Sequence, residues 1–395
     1  MRETHQSRGP VTRGSWSWLA TPLTPALVLL VLGVLVVTAR LQVAADGDVA
    51  RFILVSTRWA DVDHLPPGIP VNPRGYDGQF YYRFALDPAD LSTTAHGIRL
   101  DTPLRRQRIG YPVLAWAVAR GQAASVPAAL VAVNVLGLAL AGLFGGMLAR
   151  ELGRHPLWGL LPAGYFGLVT TLARDLTEIT AVMFVLAGLV ALHRQRPAWA
   201  ALGFAAATLC RETALLIPAS LALTRLLALV RRQARPGMVD LAWAVPLVVW
   251  AGWQAVCAVR YGRPPLLSPG GIAGVPLVAV VTAFARWVTH PSVVSTLQLL
   301  HLTTLVVMVV MALGVLRTSR ALPAERLGFV VAILVMLSLS GRVWTDDPAV
   351  FRIMVDTWVL GAIVLLASPS ALVVVPATLN TLLWVANALL LIKFL

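Results

Sequence analysis

Long apolar runs, separated by short breaks that carry arginine or proline, make up almost the whole chain. Most runs approach the roughly 20 residues that an α-helix needs to cross the hydrocarbon core of a bilayer, so each is predicted to be a membrane-spanning helix. About 11 spans are expected, within a range of about 9 to 13. They fall at residues 22–43, 126–149, 156–173, 177–193, 198–210, 214–230, 239–260, 292–316, 327–341, 352–367 and 370–392.

Two shorter stretches, 110–120 and 273–289, are amphipathic and are expected to lie at the outer membrane surface or to dip into it. With 58% hydrophobic and only 13% charged residues, the chain is too apolar for a water-soluble domain. The predicted fold is therefore an all-α polytopic membrane protein in which residues 1–395 form a single membrane domain.

The net charge of +14 raises the question of a nucleic-acid partner. The arginines, however, sit in short clusters between apolar runs, and no basic surface interleaved with aromatic residues is visible. Such clusters are typical of cytoplasmic loops, which retain basic residues during insertion. Positive-inside topology explains the charge, and no nucleic-acid partner is expected.

Arginine-rich segments at 1–21, 150–155, 193–197, 231–238 and 317–326 are assigned to the cytoplasm on this basis. Residues 1–21 then form a cytoplasmic tail, residues 44–109 an extracytoplasmic loop, and residues 110–395 the remaining helix bundle. The expected location is a bacterial inner (plasma) membrane, with the N-terminus in the cytoplasm.

The loop 44–109 holds eight of the chain's 18 acidic residues, all of them aspartates. It also contains several prolines and an aromatic run, which predict an ordered cap on the bundle. Within it, Asp77 lies between Gly75-Tyr76 and Gly78-Gln79. Glycines let the backbone hold a carboxylate close to a substrate, and the aromatic side chains could exclude water. The alternative is a plain Asp-Gly turn before a surface helix.

Charged residues in or beside spans are costly, so they tend to be paired or functional. Three further groups occur, and on this topology all face outward. They are Arg174-Asp175 with Glu178, Arg211-Glu212, and the stretch from Arg342 to Asp356, which includes Asp346, Asp347 and Arg352. Helix capping, a structural ion pair and a hydrated loop are the respective alternatives.

Tyr76-Asp77-Gly78, the aromatic run to Tyr82, and the later Arg108-Ile109-Gly110-Tyr111-Pro112 resemble a pattern of the GT-C class of integral-membrane glycosyltransferases. That pattern is aromatic-Asp-Gly-x-aromatic followed by aromatic-Pro. The resemblance is best to bacterial relatives of the dolichol-phosphate-mannose-dependent GPI mannosyltransferases. Asp175 with Glu178, Arg211-Glu212, and Arg352 at a late span are also similar to that superfamily's layout.

One departure concerns the catalytic carboxylate. These families often place their first acidic residue soon after the first span, whereas Asp77 follows it by more than 30 residues. Asp46 and Asp48, which directly follow the span, therefore stay open as rivals.

The resemblance implies a GT-C-like fold and transfer of a sugar from a polyprenyl-phosphate donor to a hydroxyl of a lipid, glycan or protein acceptor, with inversion. Membrane lipids are the other expected partners. Asp77 is the expected catalytic base, since a carboxylate can take the hydroxyl proton, and guanidinium groups suit a lipid phosphate. The residues expected to bind donor or substrate are Tyr76, Gln79, Tyr81, Arg83, Arg108, Arg174, Asp175, Glu178, Arg211, Glu212 and Arg352.

No residues are assigned as metal ligands, because the histidines show no ligand spacing. Asp77 and Asp175 leave open a weakly held Mg²⁺ or Mn²⁺ as cofactor. Two functions of other classes also stay open: a multi-pass transporter, in which intramembrane charges mark a substrate path, and a non-catalytic scaffold of an envelope-assembly system.

Overall fold

The computed structural model describes residues 20–268, 273–344 and 348–394, with all their side chains except those of 342, 348–350 and 391–394. Most of the predicted cytoplasmic tail, as well as Asp346 and Asp347, lies outside these ranges. The helices are α1 (Leu23–Val43), α2 (Gly78–Leu86), α3 (Gly110–Val118), α4 (Val126–Glu151), α5 (Leu160–Ala163), α6 (Leu168–Arg174), α7 (Glu178–His193), α8 (Pro197–Cys210), α9 (Leu216–Val230), α10 (Leu241–Tyr261), α11 (Val278–Thr289), α12 (Val293–Val315), α13 (Pro323–Leu337), α14 (Gly341–Trp344), α15 (Val355–Leu366) and α16 (Val374–Phe394).

The described residues form an all-α multi-pass membrane protein. Six helical segments are long and apolar enough to cross a bilayer, or seven if the bent pair α5–α6 counts as one span. Several large apolar side chains in these segments face outward, including Val230 (81% exposed) and Val259 (90% exposed). Such exposure is expected where lipid rather than water surrounds the protein.

The expected number of about 11 spans is not confirmed, although among the described residues each predicted span coincides with a helix or, at 156–173, with the bent pair α5–α6. Helices α7, α8, α13 and α15 have 16, 14, 15 and 12 residues. At 1.5 Å per residue these are shorter than the roughly 30 Å hydrocarbon core. Their lengths are close to those of the predicted spans, because a polar step in the sequence already bounds each of these apolar runs.

One such step is at Arg211, where the predicted spans 198–210 and 214–230 meet. Its backbone is extended (φ −158°, ψ 130°), and it ends α8. A short 3-10 turn, Glu212–Leu215, then leads into α9. The two runs are therefore separate helices, and the charged pair lies at their junction.

Helices α5 and α6 are bent by 64° relative to each other. Backbone groups freed by such a break must find partners inside a membrane protein. Asn380 supplies two, because its Oδ1 accepts from the Phe166 amide at 2.9 Å and its Nδ2 donates to the Gly164 carbonyl at 2.8 Å. Asn387 donates to the Phe166 carbonyl at 3.2 Å. Side-chain amides of α16 thus stabilise the break.

Residues 44–109, called the cap below, fold against the bundle with a core of their own. Helix α2 is buried along nearly its whole length, and Phe80, Tyr81 and Phe84 pack in one apolar cluster with residues of α3 and α4. Two small sheets complete the cap: β1 (Val55–Ser56) with β2 (Val71–Asn72), parallel, and β3 (Thr94–Ala95) with β4 (Ile98–Arg99), antiparallel. The expected ordered cap is present.

Helices α3 and α11 occupy the two stretches predicted to be amphipathic, at 110–120 and 273–289. Helix α11 buries Ala279, Ala283 and Trp287 against the bundle and exposes Val281 and Phe284. With 12 residues it is too short to span the membrane on its own.

Candidate functional site

A cavity of about 570 Å³ lies between the cap, the junction of α8 and α9, helix α13 and the start of α15. One part of its lining is charged and comes mainly from the cap and the helix junctions. Another part is apolar and comes mainly from α13. The polar lining residues are Arg58, Asp77, Asp101, Thr102, Arg105, Arg108, Arg211, Glu212, Thr213, Ser340, Arg352, Asp356 and Thr357, and the apolar ones include Leu216, Ala332, Val335, Met336, Leu339 and Val343.

Two glycines set the position of Asp77 at the start of α2. A Cβ at Gly75 would lie 2.5 Å from the Cβ of Ser56, and one at Gly78 would overlap the carbonyl oxygen of Arg174. Only a residue without a side chain permits these backbone approaches. The glycines therefore hold the Asp77 backbone between the cap and the end of α6.

Asp77 is held through one oxygen of its carboxylate. Its Oδ2 accepts from Nη2 of Arg352 at 2.8 Å and from Nη1 of Arg105 at 2.8 Å. Its Oδ1 accepts no hydrogen bond from any residue in the described ranges, and the side chain lines the cavity. Oδ1 is thus the atom that a ligand in the cavity can reach.

Burial by itself would raise the pKa of Asp77, but the positive charges of Arg105, Arg352 and Arg108 hold that pKa below its ordinary value. The carboxylate is therefore ionised at neutral pH. Its ion pairs stabilise the fold above the ordinary pKa of an aspartate, and this stabilisation is lost as the pH falls through the lowered pKa of the folded protein.

Arg352 connects Asp77 to the helix ends. Its Nη1 donates to Oε1 of Glu178, at the start of α7, and its Nε lies 3.4 Å from the hydroxyl of Tyr76. The segment that carries Arg352 is itself anchored, because the Tyr165 hydroxyl at the α5–α6 break donates to the Phe351 carbonyl at 2.7 Å. The broken span therefore helps to place this arginine.

Arg211 continues the network on the far side of Glu178, to which its Nη1 donates at 2.7 Å. Its Nε donates to Thr213 Oγ1 at 2.7 Å and its Nη2 to the Ile353 carbonyl at 3.0 Å. All three of its nitrogens have protein partners, and the residue is 1% exposed. Its side chain is the least exposed of the four ion-paired arginines that line the cavity, so it orients the network and is the one least able to reach a ligand.

Asp356, on α15, is a second carboxylate that accepts a hydrogen bond through only one of its oxygens within the described residues. Its Oδ2 accepts from Thr213 Oγ1 at 2.6 Å, and its Oδ1 accepts from no residue in the part of the chain that the structure describes. By contrast, both oxygens of Glu212 and both of Asp101 accept from arginines. Asp77 and Asp356 are thus the lining carboxylates that can accept a further hydrogen bond.

Arg108 and Glu212 form a bidentate pair across the cavity wall, with Nε–Oε2 2.8 Å and Nη2–Oε1 2.5 Å. Nη1 of Arg108 also donates to the hydroxyl of Tyr81 at 3.2 Å. Gly110 permits the contact, since a Cβ there would lie 2.8 Å from the sulfur of Cys210. This pair ties the cap to the α8–α9 junction.

Four of the sequence-predicted residues belong to the cap and do not line the cavity: Tyr76, Gln79, Tyr81 and Arg83. Gln79 accepts from the Ser56 amide at 3.1 Å and donates to the Tyr76 carbonyl at 2.9 Å. Arg83 donates to the carbonyls of Ser92 at 2.5 Å and Thr93 at 3.1 Å. Both are buried and bind the backbone of the loop around them.

Arg174 and Asp175 lie behind the cavity. The Arg174 guanidinium carbon is 4.2 Å from the ring centroid of Tyr76. Asp175 has a left-handed backbone (φ 51°), is fully buried, and has no hydrogen-bond partner for its carboxylate among the described residues. The structure therefore does not bring Asp175 into the cavity beside Asp77.

The rival carboxylates Asp46 and Asp48 also lie away from the cavity. Asp46 forms an ion pair with Arg51 at 2.8 Å at the surface. Asp48 accepts from the Ala50 amide at 2.9 Å and so caps a short 3-10 helix. Both have structural roles, which leaves Asp77 as the cap aspartate best placed for chemistry.

The residues present fit a divalent cation poorly. Across the described ranges, no group of three or more His, Cys, Asp or Glu side chains is placed to hold a metal ion. Asp77 Oδ2 already carries two guanidinium groups, and nearby arginines repel a cation. The arginines are the groups that can neutralise an anion in this cavity.

Sequence reasoning missed several lining residues, namely Arg58, Trp59, Asp101, Arg105 and Thr213, and it singled out Asp356 as a charged residue without assigning it to the site. The opposite charges of Asp101 and Arg105, four residues apart, could have predicted an ion pair at helical spacing, and the same spacing separates Arg352 and Asp356. No feature of the sequence pointed to Trp59 or Arg58, because their approach to the cavity depends on the folding of the cap.

The fold and the cavity together define a class: a multi-pass α-helical membrane protein whose capped cavity combines ion-paired carboxylates with an apolar wall. Comparison with protein-family models, with curated proteins and with solved structures finds no match to this chain.

Proposed function

We propose that this protein is a membrane glycosyltransferase that moves a sugar from a polyprenyl-phosphate donor to a hydroxyl of an acceptor. The observation that carries the proposal is the state of Asp77. Its carboxylate is fixed through Oδ2 by Arg105 and Arg352, while Oδ1 accepts no hydrogen bond from the described residues, and Asp77 lines a cavity that also has an apolar wall.

The chemistry follows from these groups. The acceptor hydroxyl oxygen attacks the anomeric carbon of the donor as its proton passes to Oδ1 of Asp77. A new C–O bond forms at that carbon, and the bond to the phosphate oxygen breaks with its electron pair leaving on the polyprenyl phosphate. In-line attack inverts the anomeric centre, and Asp77 then releases the proton to water.

Arg105, Arg108 and Arg352 are the groups that we assign to the phosphate. Guanidinium groups match phosphate oxygens with two parallel donors, and they stabilise the charge that grows on the leaving group. Each is already oriented by a carboxylate. Arg211 has the different task of holding Glu178 in place.

The apolar wall supplied by α13 suits the isoprenoid chain of the donor. Leu339, Met336 and Val335 line the cavity on this side, next to the charged wall. Burial of each methylene of a lipid contributes about 0.8 kcal/mol, so a modest length of chain adds substantially to affinity. A soluble nucleotide-sugar would gain nothing from this wall.

We place the N-terminus in the cytoplasm, the cap on the extracytoplasmic side, and the protein in a bacterial plasma membrane. The support is the arginine content of the segments 150–155, 231–238 and 317–326, together with the position of the cap directly after α1. About 11 membrane crossings remain our proposal for the bundle, with the shorter helices crossing at sites of local thinning or tilt.

The test is incubation of the purified protein with a panel of radiolabelled polyprenyl-phosphate sugars and lipid, glycan and peptide acceptors. We expect label to pass to an acceptor with one donor of the panel. Asp77→Asn should lose this transfer, whereas Asp63→Asn, an exposed position in the same cap, should retain it. Hydrolysis or transfer that is identical in both variants would contradict the proposal.

Transport is the second candidate function, favoured by the bend between α5 and α6. Secondary transporters often bind their substrates at discontinuous helices. Here, however, Asn380 and Asn387 already bind the backbone groups of Gly164 and Phe166 at the break. Solute uptake into proteoliposomes without any transfer from the donors would favour transport, and neither activity would favour a scaffold.

A further inference from the structure

Trp59 lines the cavity, and two arginine side chains approach its ring. The guanidinium carbon of Arg58 is 5.1 Å from the Trp59 ring centroid, and that of Arg99 is 5.4 Å from it. Arg58 and Trp59 both line the cavity, and Arg58 is exposed while Trp59 is half-buried. The group therefore lies where the cavity meets solvent.

The backbone holds these three residues together. The Arg99 amide donates to the Trp59 carbonyl at 2.8 Å, and Ala60 pairs with Ile98 in an antiparallel bridge. On the other side, Ser56 Oγ accepts from the Arg58 amide at 3.1 Å. The arrangement is built into the cap and does not depend on long flexible segments.

Neither guanidinium forms an ion pair or a side-chain hydrogen bond within the described residues, unlike the arginines deeper in the cavity. The nearest carboxylates in sequence are already engaged: Asp61 with His64 at 2.8 Å, and Asp101 with Arg105 at 3.1 Å. Stacking on an aromatic ring fixes a guanidinium but leaves its N–H edge free to donate. Arg58 and Arg99 thus present two oriented and unused donors.

We propose that Arg58, Trp59 and Arg99 form an oxyanion-binding site at the cavity mouth, and that it binds a phosphate group carried by the acceptor. Among the described lining residues, the ion-paired arginines deeper in the cavity are already assigned to the donor phosphate, and the apolar wall is assigned to the donor lipid. The acceptor enters from the solvent side of the cap, with its phosphate on the two arginines and its hydroxyl toward Asp77.

This inference rests on the proposed function for the identity of the ligand as acceptor, but the site itself can be tested without turnover. The probe is glucose 1-phosphate, with neutral methyl glucoside as comparison, titrated by saturation-transfer NMR against protein in nanodiscs of phosphatidylcholine. A second arm adds phosphatidylglycerol to the nanodiscs, so that a lipid headgroup and a soluble phosphate are distinguished.

We expect glucose 1-phosphate to bind more tightly than methyl glucoside, with an affinity that falls as salt rises from 50 to about 500 mM. Arg58→Gln with Arg99→Gln should weaken binding of the phosphate about tenfold and leave methyl glucoside unchanged. Arg58→Lys should bind the phosphate more tightly than Arg58→Gln but less tightly than the wild type, because an ammonium group lacks the two parallel N–H donors of a guanidinium. If phosphatidylglycerol displaces glucose 1-phosphate in the wild type, a lipid headgroup can supply the oxyanion.

Arg74→Gln is the matched control, since it removes one exposed arginine of the same cap that does not line the cavity. Equal loss of affinity in this control and in the double variant would overturn the site, as would phosphate binding that none of the variants changes. Phosphate binding that follows the proposal in a protein without sugar transfer would leave the site standing and refute the transferase instead.

Discussion

Replacing Asp77 by asparagine tests the centre of the proposed mechanism. The amide has nearly the same shape and can still accept hydrogen bonds at its oxygen, but it cannot accept the proton of an attacking hydroxyl. General-base catalysis by a positioned side chain contributes about 10²- to 10⁴-fold to rate, so turnover should fall by at least about 10²-fold.

The structure also limits the damage that this substitution does to the fold. Two hydrogen bonds lose the charge on their acceptor but keep a charged guanidinium as donor, so each falls within the range between about 1.5–3 kcal/mol for charged partners and about 1 kcal/mol for neutral ones. Arg105 keeps Asp101 and Arg352 keeps Glu178 as partners, so no guanidinium is left without a counter-ion. We expect a loss of roughly 1–3 kcal/mol, small enough to leave a folded protein.

The assay is the initial rate of label transfer at saturating donor, with donor affinity measured separately by equilibrium binding. Donor affinity should stay within about threefold of wild type, because the arginines assigned to the phosphate are unchanged. The refuting result is near-normal transfer by Asp77→Asn. If Asp356→Asn were inactive in the same assay, the base would instead be the second carboxylate with a free oxygen.

Three further predictions follow from the cavity and the cap. Arg105→Gln removes a charge that lowers the pKa of Asp77, so the acid limb of the pH–rate profile should move to higher pH, and an unchanged limb would show that Arg105 does not act on the catalytic base. Gly78→Ala should reduce transfer at least about tenfold, because its Cβ would collide with the backbone of Arg174. Gly47→Ala is the control: its Cβ would meet no neighbouring atom, but the backbone there is left-handed, so it should lower thermal stability alone. Equal transfer in both variants would show that the close backbone approach at Gly78 is unimportant. Thr57→Cys, exposed in the cap, should react with an impermeant thiol reagent in intact cells, and labelling only after lysis would reverse the proposed orientation.

Hydrophobic runs alone were enough to locate the helices of the bundle. Among the described residues, each predicted span coincides with a helix or, at 156–173, with a bent pair of helices, because the cost of exposing backbone polar groups to lipid forces apolar runs to become helical. The charged pair Arg211-Glu212 marked the junction of two spans, and the prolines and aromatic residues of the loop predicted an ordered cap, whereas the burial of its aromatic helix is seen only in the structure. The number of about 11 crossings is not confirmed, since six or seven of the described helical segments are long enough to cross a bilayer.

The sequence by itself also singled out Asp77, Arg108, Glu178, Arg211, Glu212 and Arg352 as unusual charges, since charge beside a span must be paired or used. Which of them pair was decided only by tertiary structure, since Asp77 and Arg352 are separated by most of the chain and meet through the cap and the α15 junction. Only the tertiary structure shows that Asp175 lies outside the cavity and that Gln79 and Arg83 bind the backbone of the cap. It also shows that Arg105 and Trp59 line the cavity. Side-chain direction and burial depend on how helix ends and loops pack, and that packing leaves no local mark in the sequence.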